Sequence, residues 1–499
     1  MSGKVCLSAK TAVATEHPLA SMAAIQVLRR GGNAFDAAVA ASFVLGVVMP
    51  EMNGLGGDFF ALAHEARTRR VHCLNASGWS SSASSVEQLE ALGLDSTPFQ
   101  GALSVVVPGF VKGLASFQER FGRLEFPELL RDSIEIAENG FAVTRLLASS
   151  IRRFGHLLPC SAAELLMPGG EGLGQGTVLK QKKLGRTLRA IRDEGPAALY
   201  DGWVADRIIA EVERSGGVLE PSDLKEFEPE WCPPITAEYR GKKVYEMPPN
   251  SMGATTLLIL RYLEGIDLGR LKPNSAERVG ETLKAVISAY AQKDRMLGDP
   301  RFVPFDLQRF LRGGRPRARS NPAPGDTTYF AISDAAGNIV SCIQSLYQQF
   351  GSNLFVEECG FFLNNRGSSF KLEGPNRLEP RKRPLHSLST LLVEDEAGVR
   401  LATGSSAGDY RPQQHALLLT NLIDYRMPLE DAIDFPRFWW NGGANLMLER
   451  GFSRIGQLAY VKQLVRPPRY MGTAQGVEHL EDAKKSVCDV RGDGTPLGD

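Results

Sequence analysis

The sequence predicts a layered α/β fold, on three observations about the spacing of its apolar residues. Helical periodicity dominates residues 110–300, and a period of two, which is typical of strands, dominates after residue 325. A stretch rich in Arg, Gly and Pro, residues 305–325, separates the two regions. Helical layers packed on sheets would bury both kinds of apolar face. With 499 residues, the chain fits one large layered domain or two lobes.

The first predicted elements are two helices in residues 17–48, joined by a Gly-Gly-Asn turn. Apolar residues recur there at helical spacing, and Gly31 and Gly32 fit a helix C-cap. The second helix is rich in alanine and apolar all round, so we expect it to be central. Its apolar stretch, residues 34–50, contains an aspartate and is shorter than the roughly 18–20 residues of a membrane span, so a buried helix is predicted.

A glycine-rich turn follows at Gly54, Gly56 and Gly57 and leads into a strand. It lacks the GxGxxG spacing and precedes a strand rather than a helix, so a dinucleotide site is not expected. Two interpretations stay open. The favoured one is a tight backbone turn, and the other is a glycine loop that lines a site.

Three amphipathic helices are predicted in the middle region, in residues 129–141, 182–195 and 202–217. A strand, a loop and a helix follow in residues 244–260. The basic stretch at residues 305–325 is predicted to be an exposed, flexible linker. A nucleic-acid patch is the weaker alternative, because the chain as a whole is neutral.

The C-terminal region begins with a predicted β-hairpin in residues 328–347, which turns at an Ala-Ala-Gly-Asn sequence. Further strands are predicted in residues 359–367, 389–406 and 444–452. Residues 411–438 have helical periodicity.

The composition argues against several classes of function. The formal net charge is zero, so no overall field recruits nucleic acid or an acidic membrane. The seven cysteines and seven histidines are scattered, with no CxxC and no HExxH, which argues against a zinc site and a disulfide framework. The first twenty residues lack the apolar core of a secretory signal, so we expect a cytoplasmic protein with reduced thiols.

Thr327 stands where the predicted linker meets the predicted hairpin. A threonine hydroxyl inside a chain is a weak nucleophile, but a cut before it would free its own α-amine as a base. The hydroxyl can also attack the preceding carbonyl and form an ester that water cleaves. Because threonine is common in strands, these residues alone favour an ordinary strand start over a catalytic role.

A series of sequence blocks, in order along nearly the whole chain, resembles the γ-glutamyltransferase family of N-terminal nucleophile hydrolases. The first block is "LRRGGNAFDAAVAASFVLGVVMPEMNGLGGDFF", followed by "VPGFVKG", "MPPNSMG" and "KDRMLGDPRFV". The C-terminal blocks are "DTTYFAISDAAGNIVS", "FGSNLF", "CGFFLNNR", "PRKRPLHSLS" and "AIDFPRF". So many blocks in one order make the resemblance specific.

The resemblance implies a four-layer αββα sandwich in which Thr327 is the nucleophile of both self-cleavage and catalysis. The cut would fall between Asp326 and Thr327, leaving a heavy segment, residues 1–326, and a light segment, residues 327–499, in one domain. No metal or organic cofactor is implied. The expected partners are a small-molecule amide and the two segments held together. Neither nucleic acid nor a membrane is expected, and homo-oligomer formation stays open.

Two further parts of the machinery carry over by resemblance. Ser345 lies where the family has a hydroxyl beside the nucleophile, where it would orient or activate Thr327; the alternative is an ordinary strand-face hydroxyl. Ala407 and Gly408 match a Gly-Gly pair whose backbone N–H groups form the oxyanion hole. The methyl group of Ala407 restricts φ, so the geometry of that donor is an open point.

Two departures from the family bear on the substrate. Ser77 stands where the family has the Arg that holds a substrate α-carboxylate, and Ser369 stands where it has the Asp that holds the α-ammonium. Each lost charge-assisted hydrogen bond is worth roughly 1.5–3 kcal/mol. The sequence therefore predicts poor glutathione affinity unless other groups substitute.

Four other residues are candidates for substrate contacts. Arg366 replaces a neutral residue and Tyr347 replaces an Asn, while His386 and Ser387 occupy two positions that are both Ser in γ-glutamyl enzymes. Arg366 and His386 could hold a carboxylate that is placed differently. Their alternatives are a surface salt bridge and a structural histidine.

Three functional hypotheses result. The first is a self-processing threonine amidohydrolase or acyltransferase with non-glutathione specificity, similar to branches that act as acylases or on small-acid amides such as oxamate. The second is a true γ-glutamyltransferase or glutathione hydrolase with a rearranged clamp. The third is an unprocessed, non-catalytic homologue.

Overall fold

The strands and helices are taken from a computed structural model, which describes residues 3–313, 322, 325–465 and 471–499. The described residues form the strands β1 (Lys4–Ser8), β2 (Ala12–Thr15), β3 (Asp58–Glu65), β4 (Arg70–Ala76), β5 (Phe141–Ala142), β6 (Val178–Leu179), β7 (Glu230–Cys232), β8 (Ile235–Tyr239), β9 (Lys242–Glu246), β10 (Asp326–Ser333), β11 (Ile339–Tyr347), β12 (Phe355–Val356), β13 (Phe361–Phe362), β14 (Leu391–Asp395), β15 (Gly398–Ser405), β16 (Phe438–Trp440), β17 (Asn445–Leu448), β18 (Val461–Leu464), β19 (Ala474–His479), β20 (Lys484–Cys488) and β21 (Thr495–Gly498).

The helices of the described residues are α1 (Pro18–Arg29), α2 (Ala34–Val48), α3 (Val86–Ala91), α4 (Phe110–Phe121), α5 (Phe126–Leu129), α6 (Arg131–Asn139), α7 (Arg145–Phe154), α8 (Cys160–Leu166), α9 (Lys182–Glu194), α10 (Ala197–Tyr200), α11 (Trp203–Arg214), α12 (Pro221–Lys225), α13 (Gly253–Glu264), α14 (Ala276–Met296), α15 (Leu307–Leu311), α16 (Arg411–Ile423) and α17 (Leu429–Asp434).

Two large antiparallel sheets form the centre of the fold. Sheet I has the strand order β1-β20-β19-β15-β14-β9-β8, and sheet II has the order β21-β2-β10-β11-β3-β4-β7. Both sheets contain strands from before and after Thr327, since β1 pairs with β20 and β9 with β14 in sheet I, and β2 pairs with β10 and β3 with β11 in sheet II. The two parts of the chain on either side of Thr327 therefore share both sheets.

Apolar side chains fill the space between the two sheets and the space outside each one. Between the sheets, Phe60 and Tyr329 from sheet II belong to one core cluster with Leu392 from sheet I. Helices α1, α2 and α4 cover the outer face of sheet II, and α13, α14 and α16 cover that of sheet I. This arrangement confirms the layered α/β prediction and the four-layer αββα sandwich that the resemblance implied.

The predicted N-terminal helix pair is confirmed as α1 and α2. Asn33 caps α2, because its side-chain oxygen accepts from the N–H groups of Phe35 and Asp36 at 2.9 Å each. The Asp36 carboxylate accepts from the Asn33 N–H in return, which completes a capping box. As predicted, α2 is buried on nearly all sides. No helix among the described residues is both long and apolar enough to cross a bilayer.

The predicted hairpin is confirmed as β10 and β11, with two differences nearby. Strand β10 begins at Asp326, two residues before the predicted start of the hairpin. The strand predicted in residues 359–367 is shorter, because only β13 forms there and a 3₁₀ turn, Arg366–Ser369, follows.

The linker prediction for residues 305–325 fails in its first part. Helix α15 forms there, because the Asp306 side chain accepts from the Arg309 N–H and caps it. Its Phe310 side chain is fully buried in the helical layer that covers sheet I. Residues 314–321, 323 and 324 lie outside the described residues.

Candidate active site

Thr327 lies at the start of β10 in the interior of the protein, where its side chain is 1% exposed. Its Oγ1 donates to Ser345 Oγ at 3.3 Å, and Ser345 Oγ donates to the carbonyl oxygen of Asp326 at 2.7 Å. Ser345 Oγ also accepts from the Tyr347 N–H at 2.7 Å. A serine hydroxyl has one donor and two acceptor positions, so these contacts use all of them. Ser345 thus joins the Thr327 hydroxyl to the carbonyl of the preceding peptide bond.

A bulge in the hairpin shapes this contact. The register of β10 and β11 shifts between Asp326 and Thr328, so Thr327 falls at the irregularity. On the other side of β11, a Cβ placed on Gly57 would lie 2.5 Å from the Ser345 carbonyl oxygen. The glycine turn is therefore a tight turn that also lies directly against the backbone of Ser345.

The neighbouring threonine has a different environment. Thr328 Oγ1 accepts from Asn53 Nδ2 at 2.9 Å, and Asn53 Oδ1 accepts from Gln344 Nε2 at 2.5 Å. Thr328 is fully buried. Its hydroxyl belongs to an internal hydrogen-bond network, whereas the hydroxyl of Thr327 faces Ser345.

The loop that follows β15 brings Ala407 and Gly408 to the same place. A Cβ on Gly325 would lie 2.9 Å from the Gly408 Cα, so this loop abuts the residue just before Asp326. Gly408 has φ +52°, a left-handed conformation that favours glycine. Ala407 has φ −133°, which any residue adopts, so its methyl group does not strain the backbone.

Arg366 and His386 meet at Asp58, which opens β3. Arg366 is fully buried, so the surface salt bridge considered for it is wrong. Its Nε lies 3.4 Å from Asp58 Oδ2, and His386 Nε2 lies 2.9 Å from the same oxygen. The other Asp58 oxygen accepts from the Gly78 N–H at 3.0 Å. Asp58 is therefore the buried anion that holds both predicted substrate contacts.

His386 has both ring nitrogens engaged within the protein. Nδ1 accepts from the Leu388 N–H at 3.1 Å, which assigns the proton to Nε2, where it is donated to Asp58. Burial and, to a smaller extent, the nearby charge of Arg366 lower the pKa of His386 to about 3, so the ring is neutral. Burial alone would raise the pKa of Asp58, but His386 and Arg366 outweigh burial and hold it below its usual range.

Tyr347 and Ser387 complete the surroundings of Arg366. The Arg366 Cζ lies 4.1 Å from the centroid of the Tyr347 ring, and its Nη1 donates to Ser387 Oγ at 3.2 Å. Tyr347 has φ +87°, a strained conformation for a bulky residue. Such strain clusters at functional sites.

Ser77 and Ser369, which stand at the positions of the family's two charged clamp residues, are both neutral. Ser77 Oγ accepts from Asn250 Nδ2 at 3.0 Å and donates to the Gly78 carbonyl at 3.2 Å, so it is bound within the protein. Ser369 Oγ is buried and has no hydrogen-bond partner among the described residues.

Sequence analysis missed two charged residues at this site, Asp58 and Arg411. Arg411 is fully buried; its Nε donates to the Ser405 carbonyl at 2.8 Å and its Nη1 donates to the Ser387 carbonyl. The sequence did contain a signal for each residue. Asp58 is a charged residue at the start of the apolar strand "DFFALA", and Arg411 is a charged residue at the start of a largely apolar helix. Among the described residues, no group of three or more His, Cys, Asp or Glu side chains could hold a metal ion.

Comparison with known proteins identifies the family. The family model for gamma-glutamyltranspeptidase matches residues 20–498. The glutathione hydrolase-like YwrD proenzyme of Bacillus subtilis is 35% identical over 88% of this chain and 86% of its own length. The oxamate amidohydrolase proenzyme of Klebsiella pneumoniae is 31% identical over 97% of each chain.

The fold agrees with this result. The crystal structure of a cephalosporin acylase from Bacillus halodurans matches with a TM-score of 0.92 and 28% identity, covering 99% of this chain and 96% of that one. The chain therefore belongs to the gamma-glutamyltranspeptidase family and is a hydrolase of the N-terminal nucleophile type.

Proposed function

We propose that this chain is a self-processing amidohydrolase whose nucleophile is Thr327. In self-cleavage, Thr327 Oγ1 attacks the carbonyl carbon of Asp326, the peptide C–N bond breaks, and the proton passes to the new α-amine. Water then hydrolyses the ester, which leaves a carboxylate on Asp326 and restores the Thr327 hydroxyl. The single observation that carries the proposal is the Ser345 hydroxyl, which contacts the Thr327 hydroxyl and polarises the Asp326 carbonyl.

The same atoms serve catalysis after the cut. The freed α-amine of Thr327 takes the hydroxyl proton as Oγ1 attacks a substrate amide, and it returns that proton to the leaving amine. Backbone N–H groups of Ala407 and Gly408 would stabilise the oxyanion. Water resolves the acyl-enzyme, and an amine acceptor in its place would make the enzyme a transferase.

The two segments, residues 1–326 and 327–499, would stay together as one domain after the cut. Both sheets contain strands of both segments, so separating the segments would break the β2–β10 and β3–β11 pairings and expose the core between the sheets. We therefore expect the fragments to copurify.

The substrate proposed is an amide other than glutathione, of the acylase or small-acid type. The support is the loss of both charged clamps at Ser77 and Ser369, together with relatives named as an oxamate amidohydrolase and a cephalosporin acylase. Arg366 is the proposed substrate contact. Tyr347 and Ser387 flank it, and His386 supports it through Asp58.

A denaturing gel tests the proposal. The 54.4 kDa chain should convert to fragments of 326 and 173 residues, roughly 35 and 19 kDa. Thr327→Ala should remain a single band with no amidase activity. The matched control is Thr328→Val, which should still be cut but be less stable, because Asn53 loses its acceptor. Full activity in Thr327→Ala would refute the nucleophile.

The glutathione hydrolase-like relative favours a second candidate function, γ-glutamyl transfer or hydrolysis with a rearranged clamp. Turnover of γ-glutamyl-p-nitroanilide that disappears in Arg366→Ala would support it, and no turnover at millimolar substrate would reject it. A third candidate, the unprocessed homologue, requires that wild-type protein stay as one band.

A further inference from the structure

Two buried guanidinium groups contact Ser387, one at its side chain and the other at its backbone carbonyl. Arg366 Nη1 donates to the Ser387 hydroxyl at 3.2 Å, and Arg411 Nη1 donates to the Ser387 carbonyl. Both arginine side chains are 0% exposed. A pair of fully buried arginines on one residue requires acceptors for ten N–H groups, five from each.

The described residues do not supply all of these acceptors. Arg366 Nη2 and Arg411 Nη2 each have no hydrogen-bond partner among the described residues. A buried donor without a partner costs free energy, more so when it carries charge. Because both guanidiniums contact Ser387, a single acceptor within reach of both Nη2 atoms would satisfy the two donors.

The electrostatics of the pair favour an anionic acceptor. Burial and, to a smaller extent, the charge of Arg366 lower the pKa of Arg411 to about 9, so each cation destabilises the other. Asp58 Oδ2 lies 3.4 Å from Arg366 Nε, and the charge of Asp409 raises the pKa of both arginines. A carboxylate is the planar anion that guanidinium groups bind best, through paired N–H bonds.

Both arginines are joined to the nucleophile through short paths. The guanidinium of Arg366 stacks on Tyr347, whose N–H donates to Ser345, the partner of Thr327. Arg411 directly follows the 3₁₀ turn Gly408–Tyr410, which begins at the proposed oxyanion hole. An anion bound by both arginines would therefore be linked to the proposed nucleophile through Tyr347 and Ser345, and to the proposed oxyanion hole through the turn before Arg411.

We infer that Arg366 and Arg411 together bind a free carboxylate on the acyl group, so that the substrates are monoamides of dicarboxylic or oxo acids. This inference rests on the proposed Thr327 amidase and specifies its acyl group. His386 is then a positioning residue that keeps Asp58 on Arg366. Ser369, at the position where the family holds a substrate ammonium, is neutral.

The first test compares matched substrates on the processed enzyme. One series contains the mono-p-nitroanilides of oxalic, malonic, succinic and glutaric acids, and the other contains neutral acyl p-nitroanilides of the same chain lengths. At least one carboxylate substrate should exceed its neutral partner in kcat/KM by about tenfold or more. That ratio should fall about tenfold to a hundredfold in Arg366→Met and in Arg411→Met.

The matched control is Arg278→Met. Arg278 is also fully buried, but it lies in α14, where it donates to Thr420 and Asn421. This variant should lose stability and keep the wild-type selectivity ratio. Thermal melts and fragment gels on all three variants separate misfolding from lost selectivity.

Direct binding decides the matter without turnover or variants. In calorimetric titration of wild-type enzyme, at least one of oxalate, malonate, succinate and glutarate should bind, and its uncharged diamide should not. If no diacid binds better than its diamide and no carboxylate anilide is preferred, the carboxylate site is overturned while a Thr327 amidase that cleaves neutral anilides stands. If the chain does not cleave itself, the proposed amidase function is refuted. The diacid titration then still shows whether Arg366 and Arg411 bind a carboxylate.

Discussion

The Ser345 hydroxyl donates a hydrogen bond to the carbonyl oxygen of Asp326 over 2.7 Å. The same oxygen of Ser345 accepts from Thr327 Oγ1. One side chain therefore contacts both the proposed nucleophile and the carbonyl that it would attack. Its donated bond points at the atom on which negative charge develops, which is the arrangement that stabilises a tetrahedral intermediate.

Replacing Ser345 with Ala should slow self-cleavage. Losing one donor to a developing oxyanion costs about 10²–10³-fold in rate in comparable sites. The time course of precursor and fragment bands on a denaturing gel measures the effect. Ser341→Ala is the matched control, because Ser341 is a buried hydroxyl on the same strand that bonds to Tyr329 at 2.7 Å instead. Wild-type cleavage kinetics in Ser345→Ala would remove Ser345 from the mechanism.

Gly408→Ala should lower kcat as well as stability. Gly408 has φ +52°, where a Cβ costs roughly 1–2 kcal/mol, and relief of that strain would rotate the N–H group proposed for the oxyanion hole. Gly443→Ala isolates the strain, because Gly443 has φ +50° and open space for a Cβ in an exposed loop. We expect both variants to lose the same amount of stability, and only Gly408→Ala to have a lower kcat. Equal kcat values in the two variants would contradict a role for the Gly408 N–H in the oxyanion hole.

The buried carboxyl of Glu51 should make stability fall as the pH rises. Desolvation, together with the nearby charge of Asp326, raises its pKa from 4.5 to about 8. The folded state thus keeps a proton that the unfolded state releases above pH 4.5. The stabilisation from Glu51 is fully present below pH 4.5, declines as the pH rises, and is lost once the pH passes about 8.

Glu51→Gln removes this titration and should flatten the curve between pH 4.5 and 8. Relative to wild type, the variant should gain stability across that window, by up to about 5 kcal/mol at its upper end. Urea unfolding at fixed pH values measures the difference. Glu90→Gln on the exposed face of α3 serves as the control and should follow wild type. Parallel curves for wild type and Glu51→Gln would show that Glu51 is ionised in the folded state.

The β10–β11 hairpin was predictable from the sequence because a hairpin is local, whereas Ser345 was assigned as the partner of the proposed nucleophile only by resemblance to the family. Ser333 pairs with Ile339 and Thr328 pairs with Gln344, and the bulge between Asp326 and Thr328 leaves Thr327 in contact with Ser345. Periodicity also predicted α1, α2 and the helical middle region, because each apolar face shows in a short window.

The charged cluster was not predictable in the same way. Asp58 reaches Arg366 and His386 only because β3 pairs with β11 and two distant loops close over its end. Neither burial nor pairing of these side chains is encoded within any short window. The same reason explains α15, where burial of Phe310 depends on a helix formed elsewhere in the chain.

Asp58→Asn should be strongly destabilising, because it leaves the Arg366 guanidinium buried without its anion. Breaking a buried ion pair by removing one partner typically costs about 3–5 kcal/mol. Urea unfolding of the variant should show a loss of that size with an unchanged m-value. The Gly78 N–H and His386 contacts make part of this loss independent of the arginine.

A double-mutant cycle separates the two contributions. Arg366→Met removes the cation that Asp58→Asn leaves without a partner. The double variant should therefore lose less free energy of unfolding than the two single variants lose in sum. The coupling should reach about 1–3 kcal/mol, as for residues in direct contact. The same cycle with Arg278→Met in place of Arg366→Met should be additive, because that arginine bonds to α16 instead. Additivity of Asp58→Asn and Arg366→Met would mean that Asp58 does not hold Arg366 in place.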